Sequence, residues 1–347
     1  MVCGGRHLLS STILGIFASS GITATGTNAV VLAHSTSPYT TAYPWSAGFG
    51  TKYADPATLP TGTGRAAQFI PNGTAVAIAH STSPYTTAYP WSAGFGTKYA
   101  DPASAVPGTG FGLRWDSTGT NLCIGHATSP FISAYAWSAG FGTKRADPAT
   151  LPGTQARDVT FMANDADVIF TQDSSPFIGA YAYSSGFGTK RADPATLPPN
   201  VNTGVDNRLS ADVAVMGAGS PYVVAYAYSS GFGTKYANPA TLPAGGLGNP
   251  DVKFSRSGSN IITAYGGTPY TTAYPWSAGF GTKYADPASL MPDNARGVSW
   301  SSSDAAVAFG HSTTPFIAAY AWSAGFSTKY SNPATLPTGE GNVLSFN

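Results

Sequence analysis

The stretch from His34 to Pro60, HSTSPYTTAYPWSAGFGTKYADPATLP, returns six more times in nearly the same words. The proline of its Ser-Pro or Thr-Pro pair falls at Pro38, Pro84, Pro130, Pro176, Pro221, Pro269 and Pro315, at spacings of 46, 46, 46, 45, 48 and 46 residues. A fixed period of this size confines the chain to repeat architectures, in which each unit buries its apolar faces only against its neighbours. Length alone would suggest roughly two or three domains. The repeat instead makes residues 24–347 one ring, preceded by a leader over residues 1–23.

One unit reads as four short strands. Ala75 to His80, AVAIAH, is a small apolar run with no polar face, bracketed by Pro71-Asn72-Gly73 and Ser83-Pro84. That length and those brackets indicate a strand buried on both faces. Tyr85 to Trp91, YTTAYPW, is rich in aromatic and Thr residues, which favour strands. Pro90 cannot donate to a ladder, so it must sit at a bulge or where its nitrogen faces away from a neighbour. Ser92-Ala93-Gly94 links to a returning strand from Phe95 to Tyr99, with Gly94 expected to take the left-handed conformation. A Pro/Gly loop from Asp101 to Gly110 leads to a last strand ending at Trp115. Four antiparallel strands in about 46 residues are a propeller blade. The expected fold is all-β, a seven-bladed β-propeller with four antiparallel strands per blade.

The first unit lacks this last strand, and the chain supplies it at the far end. An aromatic follows the Lys of GFGTK by 17 residues at Lys52 to Phe69, Lys98 to Trp115, Lys144 to Phe161 and Lys283 to Trp300, and Lys329 to Phe346 keeps that spacing. Asn342–Phe346 is therefore expected to close the ring by pairing into blade one, beside residues 49–54 or against a neighbour in that ladder.

Composition excludes several classes. Charged residues make up 10% of the chain and the net charge is +1, which gives no electrostatic ground for binding nucleic acid or an anionic membrane. The two cysteines form no disulfide framework or metal spacing, and Cys123 reads as a small buried apolar residue. In the leader, Leu8 to Ala18 follows Arg6 and His7 and is too short to span a bilayer. It reads as an extra strand or anchoring arm, with a signal peptide as the alternative.

The order of strands, the turn with Gly and the aromatic strand ending in Trp resemble WD40-type β-propellers. Within them the chain is most similar to a subset with the SPY…YPWS…GFGTKY(A/S)(D/N)PATLP repeat, found in proteins of tailed bacteriophages and in marine environmental sequences. The likeness covers residues 24–347. The Trp-Asp pair usual in that family is absent, since Trp45 precedes Ser46 and Trp91 precedes Ser92. The resemblance implies an interaction scaffold and carries over no catalytic residue.

Three repeated features bear on function. Lys52, Lys98, Lys144, Lys190, Lys235, Lys283 and Lys329 recur once per unit, each three residues before an Asp or Asn. They form a candidate ring for an anionic ligand, against the plainer reading of solvated Lys beside a turn-forming acid, a pairing worth about 0–1 kcal/mol. His34, His80, His126 and His311 end the buried strand in four units, and four imidazoles near one axis suit a metal. Blades 1, 2, 3 and 7 supply them, an arc and not a tetrahedron, so a structural role is expected. The Tyr and Trp faces could stack on sugars, but at strand spacing they read as inter-blade packing. No nucleophile–base–carboxylate set, GxSxG, HExxH or phosphate loop occurs.

The expectation is a non-enzymatic structural or adhesion propeller without cofactor or metal, located on a virion or outside cells. Its expected partners are other virion or surface proteins. The alternative is a secreted or surface propeller that binds host-surface glycan. The hairpins are nearly constant, while the links around 61–68, 105–112, 153–158, 199–208 and 244–251 vary, so a partner that breaks the ring's symmetry should read the links.

Overall fold

Each small apolar run of the repeat becomes a strand buried over its whole length, as with Ala29–His34, Ala75–His80 and Ala306–His311 in the computed structural model. The structure describes residues 28–208, 211–245 and 247–347, and the leader, 1–23, lies outside them. The described residues form seven antiparallel sheets and no helix.

The innermost strands are, from blade 1 to blade 7, Gly341–Phe346, Gly64–Phe69, Gly110–Trp115, Ala156–Phe161, Asn202–Arg208, Leu247–Phe254 and Ala295–Trp300. They touch one another in a closed cycle and so surround a central channel. The apolar core lies between blades, in clusters that draw on adjacent sheets. The fold is the seven-bladed β-propeller that the repeat predicts.

Two repeated words hold neighbouring blades together. The buried tyrosine of each third strand donates its hydroxyl to a carbonyl in the preceding unit's PAT or PAS link, as Tyr89 to Thr58 at 2.7 Å, Tyr181 to Thr150 at 2.6 Å and Tyr320 to Ser289 at 2.8 Å. The PAT and PAS words are thus acceptors for the next blade. The tyrosine after Lys stands edge-on to the next blade's tryptophan, as Tyr53 to Trp91 and Tyr99 to Trp137, both with centroids 5.2 Å apart. In blades 4 and 5 both partners change together, Arg145 coming before Tyr183 and Arg191 before Tyr228. Those arginines turn to Asn121 and Asp167 of their own blades.

The fourth strand departs from expectation in three blades. Blades 3, 4, 5 and 7 have it, and blades 1, 2 and 6 keep only the bridges Trp45↔Phe49, Trp91↔Phe95 and Trp276↔Phe280. The division follows one residue. Pro44, Pro90 and Pro275 stand where the other blades have Ala136, Ala182, Ala227 and Ala321. Proline brings no N–H to the ladder, so the outer pairing shrinks to one bridge. In the hairpin link it is Ala93, not Gly94, that takes the left-handed conformation, at φ 54°, while Gly94 lies at φ 140°.

The ring closes through its last strand. Gly341–Phe346 pairs with Ala29–His34 in the register Val30↔Phe346, Val31↔Ser345 and Leu32↔Leu344. Blade one is thus completed at its inner edge, not beside residues 49–54. Leu344 and Phe346 are buried there, and Phe346 stands edge-on to Trp45 with centroids 5.0 Å apart.

Candidate functional site

The charged residues that break the repeat gather on the inner strands. The second residue of each, or its register equivalent, is Arg65, Phe111, Arg157, Thr203, Pro250, Arg296 or Asn342, and all seven line one mouth of the channel around a cavity of about 120 Å³. This mouth lies on the side of the Pro/Gly links. Arg157 stacks on Phe111 at 4.7 Å and forks onto Asp173 at 2.6 and 2.7 Å. Burial opposes the Asp173 charge, but that fork and Gln155 outweigh it and hold the carboxyl below its usual range. Arg296 pairs with Glu340 at 3.0 Å.

Below the mouth is a waist of charge. Arg114 pairs with Asp206 at 3.0 Å, and Lys253 pairs with Asp251 at 2.6 Å and reaches Asp158 at 4.0 Å. Each carboxylate also accepts a backbone N–H from the next blade: Asp158 from Val205 at 3.1 Å, Asp206 from Phe254 at 2.9 Å and Asp251 from Val298 at 3.1 Å. Room for the acids comes from glycine. A Cβ on Gly112 or Gly204 would lie 2.7 Å from the Cα of Asp158 or Asp251.

Burial dominates the protonation of this waist. It raises the Asp158 carboxyl to about 6, with Lys253 pulling it down and Asp251 pushing it up. Burial also raises Asp206, against the pull of Arg114 and Lys253. For Lys253 burial lowers the pKa, but Asp251, Asp158 and Asp206 outweigh it and hold the ammonium above its ordinary value. Beyond the waist, towards the hairpin tips, opens a chamber of about 650 Å³, whose walls include Arg114, Asp158, Asp206, Lys253 and Arg256.

The lysines singled out from the sequence are not brought together. They lie at or beside the outer edges of seven different blades. Lys52, Lys98, Lys144, Lys190 and Lys283 pair with Asp55, Asp101, Asp147, Asp193 and Asp286. Lys235 bonds Asn238, and Lys329 reaches the Leu290 carbonyl at 3.5 Å. Three of the four histidines are tied to their own blade. Nε2 of His34, His80 and His126 bonds Thr41, Thr87 and Ser133 at 2.9, 2.9 and 3.0 Å. His311 faces Ala318 in that register and has neither nitrogen bonded among the described residues. Burial lowers all four imidazoles to about 4.

Sequence reasoning missed Asp158, Asp206, Asp251, Lys253 and the channel arginines. The available signal was that charge interrupts the one strand where the units disagree most.

Fold and channel together define the chain as a seven-bladed β-propeller with an ionisable waist across its axis. No protein-family model matches the chain, and no curated protein matches it in sequence. Solved structures do match in fold. A putative 6-phosphogluconolactonase from Bacteroides fragilis is 12% identical with a TM-score of 0.69, covering 94% of this chain and 99% of its own. The periplasmic gluconolactonase PpgL of Pseudomonas aeruginosa is 11% identical with a TM-score of 0.69, covering 92% and 98%. The β-propeller domain of Cps50 (Swd1) from Myceliophteria thermophila is 10% identical with a TM-score of 0.56, covering 81% and 89%.

These findings correct the expectation of a non-enzymatic virion propeller. Propellers of the same architecture carry lactonase names, and this chain holds acids and bases in its channel. The absence of a local catalytic motif does not argue against catalysis, because a ring can assemble a site from single positions in different blades. The expectations of virion, adhesion and phage partners find no support in these comparisons.

Proposed function

We propose that the chain hydrolyses a sugar-sized lactone in the chamber of its channel, with Asp158 as general base. The observation that carries this reading is the Asp158 carboxyl, raised to about 6 and lining a chamber of about 650 Å³ beside Arg114, Lys253 and Arg256. A base is most effective with a pKa near the working pH, and the volume is that of a small-molecule site. The lactonase names of the similarly folded proteins supply the reaction to test.

In the proposed step, Asp158 takes a proton from water as the water oxygen attacks the lactone carbonyl carbon. Arg256 opposes the charge that develops on the carbonyl oxygen; among the described residues its guanidinium has no carboxylate within 4.0 Å, Asp304 accepting only its backbone N–H at 2.8 Å. The ring C–O bond then breaks, and the proton passes from Asp158 to the leaving oxygen. The product is the open hydroxy acid.

The test is hydrolysis of a panel of aldonolactones, with and without a phosphate group, followed by acid release. Wild-type turnover should fall about tenfold per pH unit below about 6, and Asp158→Asn should lose about 10²–10⁴-fold. No turnover above the buffer rate, or equal rates for both proteins, overturns the reading. The repeat words further support grouping the scaffold with the WD40-like propellers of tailed bacteriophages, a part of the proposal that concerns ancestry and not channel chemistry.

A further inference from the structure

We propose that the link-side mouth of the channel is a separate binding site for one small oxyanion of phosphate or sulfate size, held by Arg65 with Arg157 and Arg296. Three guanidinium groups line one cavity, and their compensation is uneven. Arg157 is neutralised by the Asp173 fork, and Arg296 shares a single bond with Glu340, whose side chain is 44% exposed. Arg65 has no carboxylate within 4.0 Å among the described residues, and its buried Nε has no hydrogen-bond partner there. Burial together with the charges of Arg296 and Arg157 disfavours its protonated form. The acids beneath do not relieve this. Asp251 is taken up by Lys253, and Asp158 faces Lys253 and the Val205 N–H.

A half-buried cation among like charges, with its Nε out of reach of solvent, is costly unless an anion joins it. Guanidinium forks match the oxygens of phosphate and sulfate, and the stacking of Arg157 on Phe111 holds one fork in place beforehand. Size sets the class. A cavity of about 120 Å³ takes a tetrahedral oxyanion but not a sugar, for which sites of at least about 300 Å³ are usual. The waist separates this mouth from the chamber, so the inference stands whether or not the chamber hydrolyses lactones. Asp158 lines both.

The experiment is calorimetric titration of the full chain with inorganic phosphate and sulfate at low ionic strength and neutral pH, with glucose 6-phosphate as a third probe. One anion should bind per chain. Arg65→Gln should weaken binding at least about tenfold, Arg65→Lys should weaken it less, and Arg256→Ala, in the chamber, should leave it unchanged. Thermal melts establish that each variant is folded. Glucose 6-phosphate binding more tightly than phosphate would support the proposal and assign the ion to the end of a larger ligand, and equal or weaker binding would support a free ion. No heat of binding up to about 10 mM, or equal losses in the Arg65 and Arg256 variants, overturns the proposal.

Discussion

The closing strand Gly341–Phe346 meets Ala29–His34 by pairing alone, whereas the other inner strands run on along the chain into their partners, so its anchor should limit the stability of the whole. Phe346→Ala removes a ring that is 4% exposed and packs edge-on against Trp45 at 5.0 Å. Truncating a buried phenylalanine costs about 3–5 kcal/mol, much of the 5–15 kcal/mol typical of a folded domain. For a chain of this length, with an unfolding entropy of about 2 cal/mol/K per residue, each kcal/mol moves Tm by about 1.5 °C, giving a fall of about 4–8 °C. The control is Phe69→Ala. Phe69 holds the same position in blade 2, also 5.0 Å from its tryptophan, but its strand continues into the next turn. Both variants should lose similar stability in urea. Only Phe346→Ala should open the Ala29–His34 strand to amide exchange before global unfolding, because no turn ties its strand to that partner. A Phe346→Ala protein that melts within about 1 °C of wild type would refute the closure argument, and equal exchange in both variants would refute the role of the missing turn.

Acid should unfold the ring between pH 6.5 and about 4, because the buried imidazoles have depressed folded pKa values and the unfolded chain takes up protons first as pH falls. His80→Gln, which copies the Gln172 that blade 4 carries at the same place, should make the fall of Tm over that interval shallower; an unchanged slope would remove histidine as the cause. At the blade 3 to blade 4 junction, Tyr183→Trp alone should destabilise, while adding Arg145→Tyr should restore the pair seen between Tyr99 and Trp137. A double-mutant coupling below about 0.3 kcal/mol would show that the joint change at these positions is incidental.

The blade is legible in the sequence because its information is local. Strand, turn and link follow one another within a unit, and the 17-residue interval from Lys329 to Phe346 points to the closing strand. What fails locally also has a local cause. Pro44, Pro90 and Pro275 are awkward in any ladder, yet their effect falls on the strand beyond them, which they reduce to a bridge. The lysines stand out by recurring, but recurrence at an outer edge disperses side chains around the ring, where each meets its own Asp or Asn or, for Lys329, a nearby carbonyl.

The channel is hidden for the opposite reason. Asp158, Asp206 and Asp251 come from different blades, and only a closed ring brings each beside the backbone of the next. The variable ranges 153–158, 199–208 and 244–251 contain all three acids and Arg157, but along the chain they read as links. A ligand on the axis meets one inner-strand position from each blade, so repetition confers nothing on it and difference does. The outer words can stay constant because every blade solves the same packing problem, whereas the axis can distinguish one small molecule from another only where the blades differ. The carboxylates add a constraint, since each supplies channel charge and also holds the next inner strand. Replacing Asp158 with Asn keeps an acceptor for the Val205 N–H while removing the proposed base, so lost turnover with a retained melt separates chemistry from blade packing.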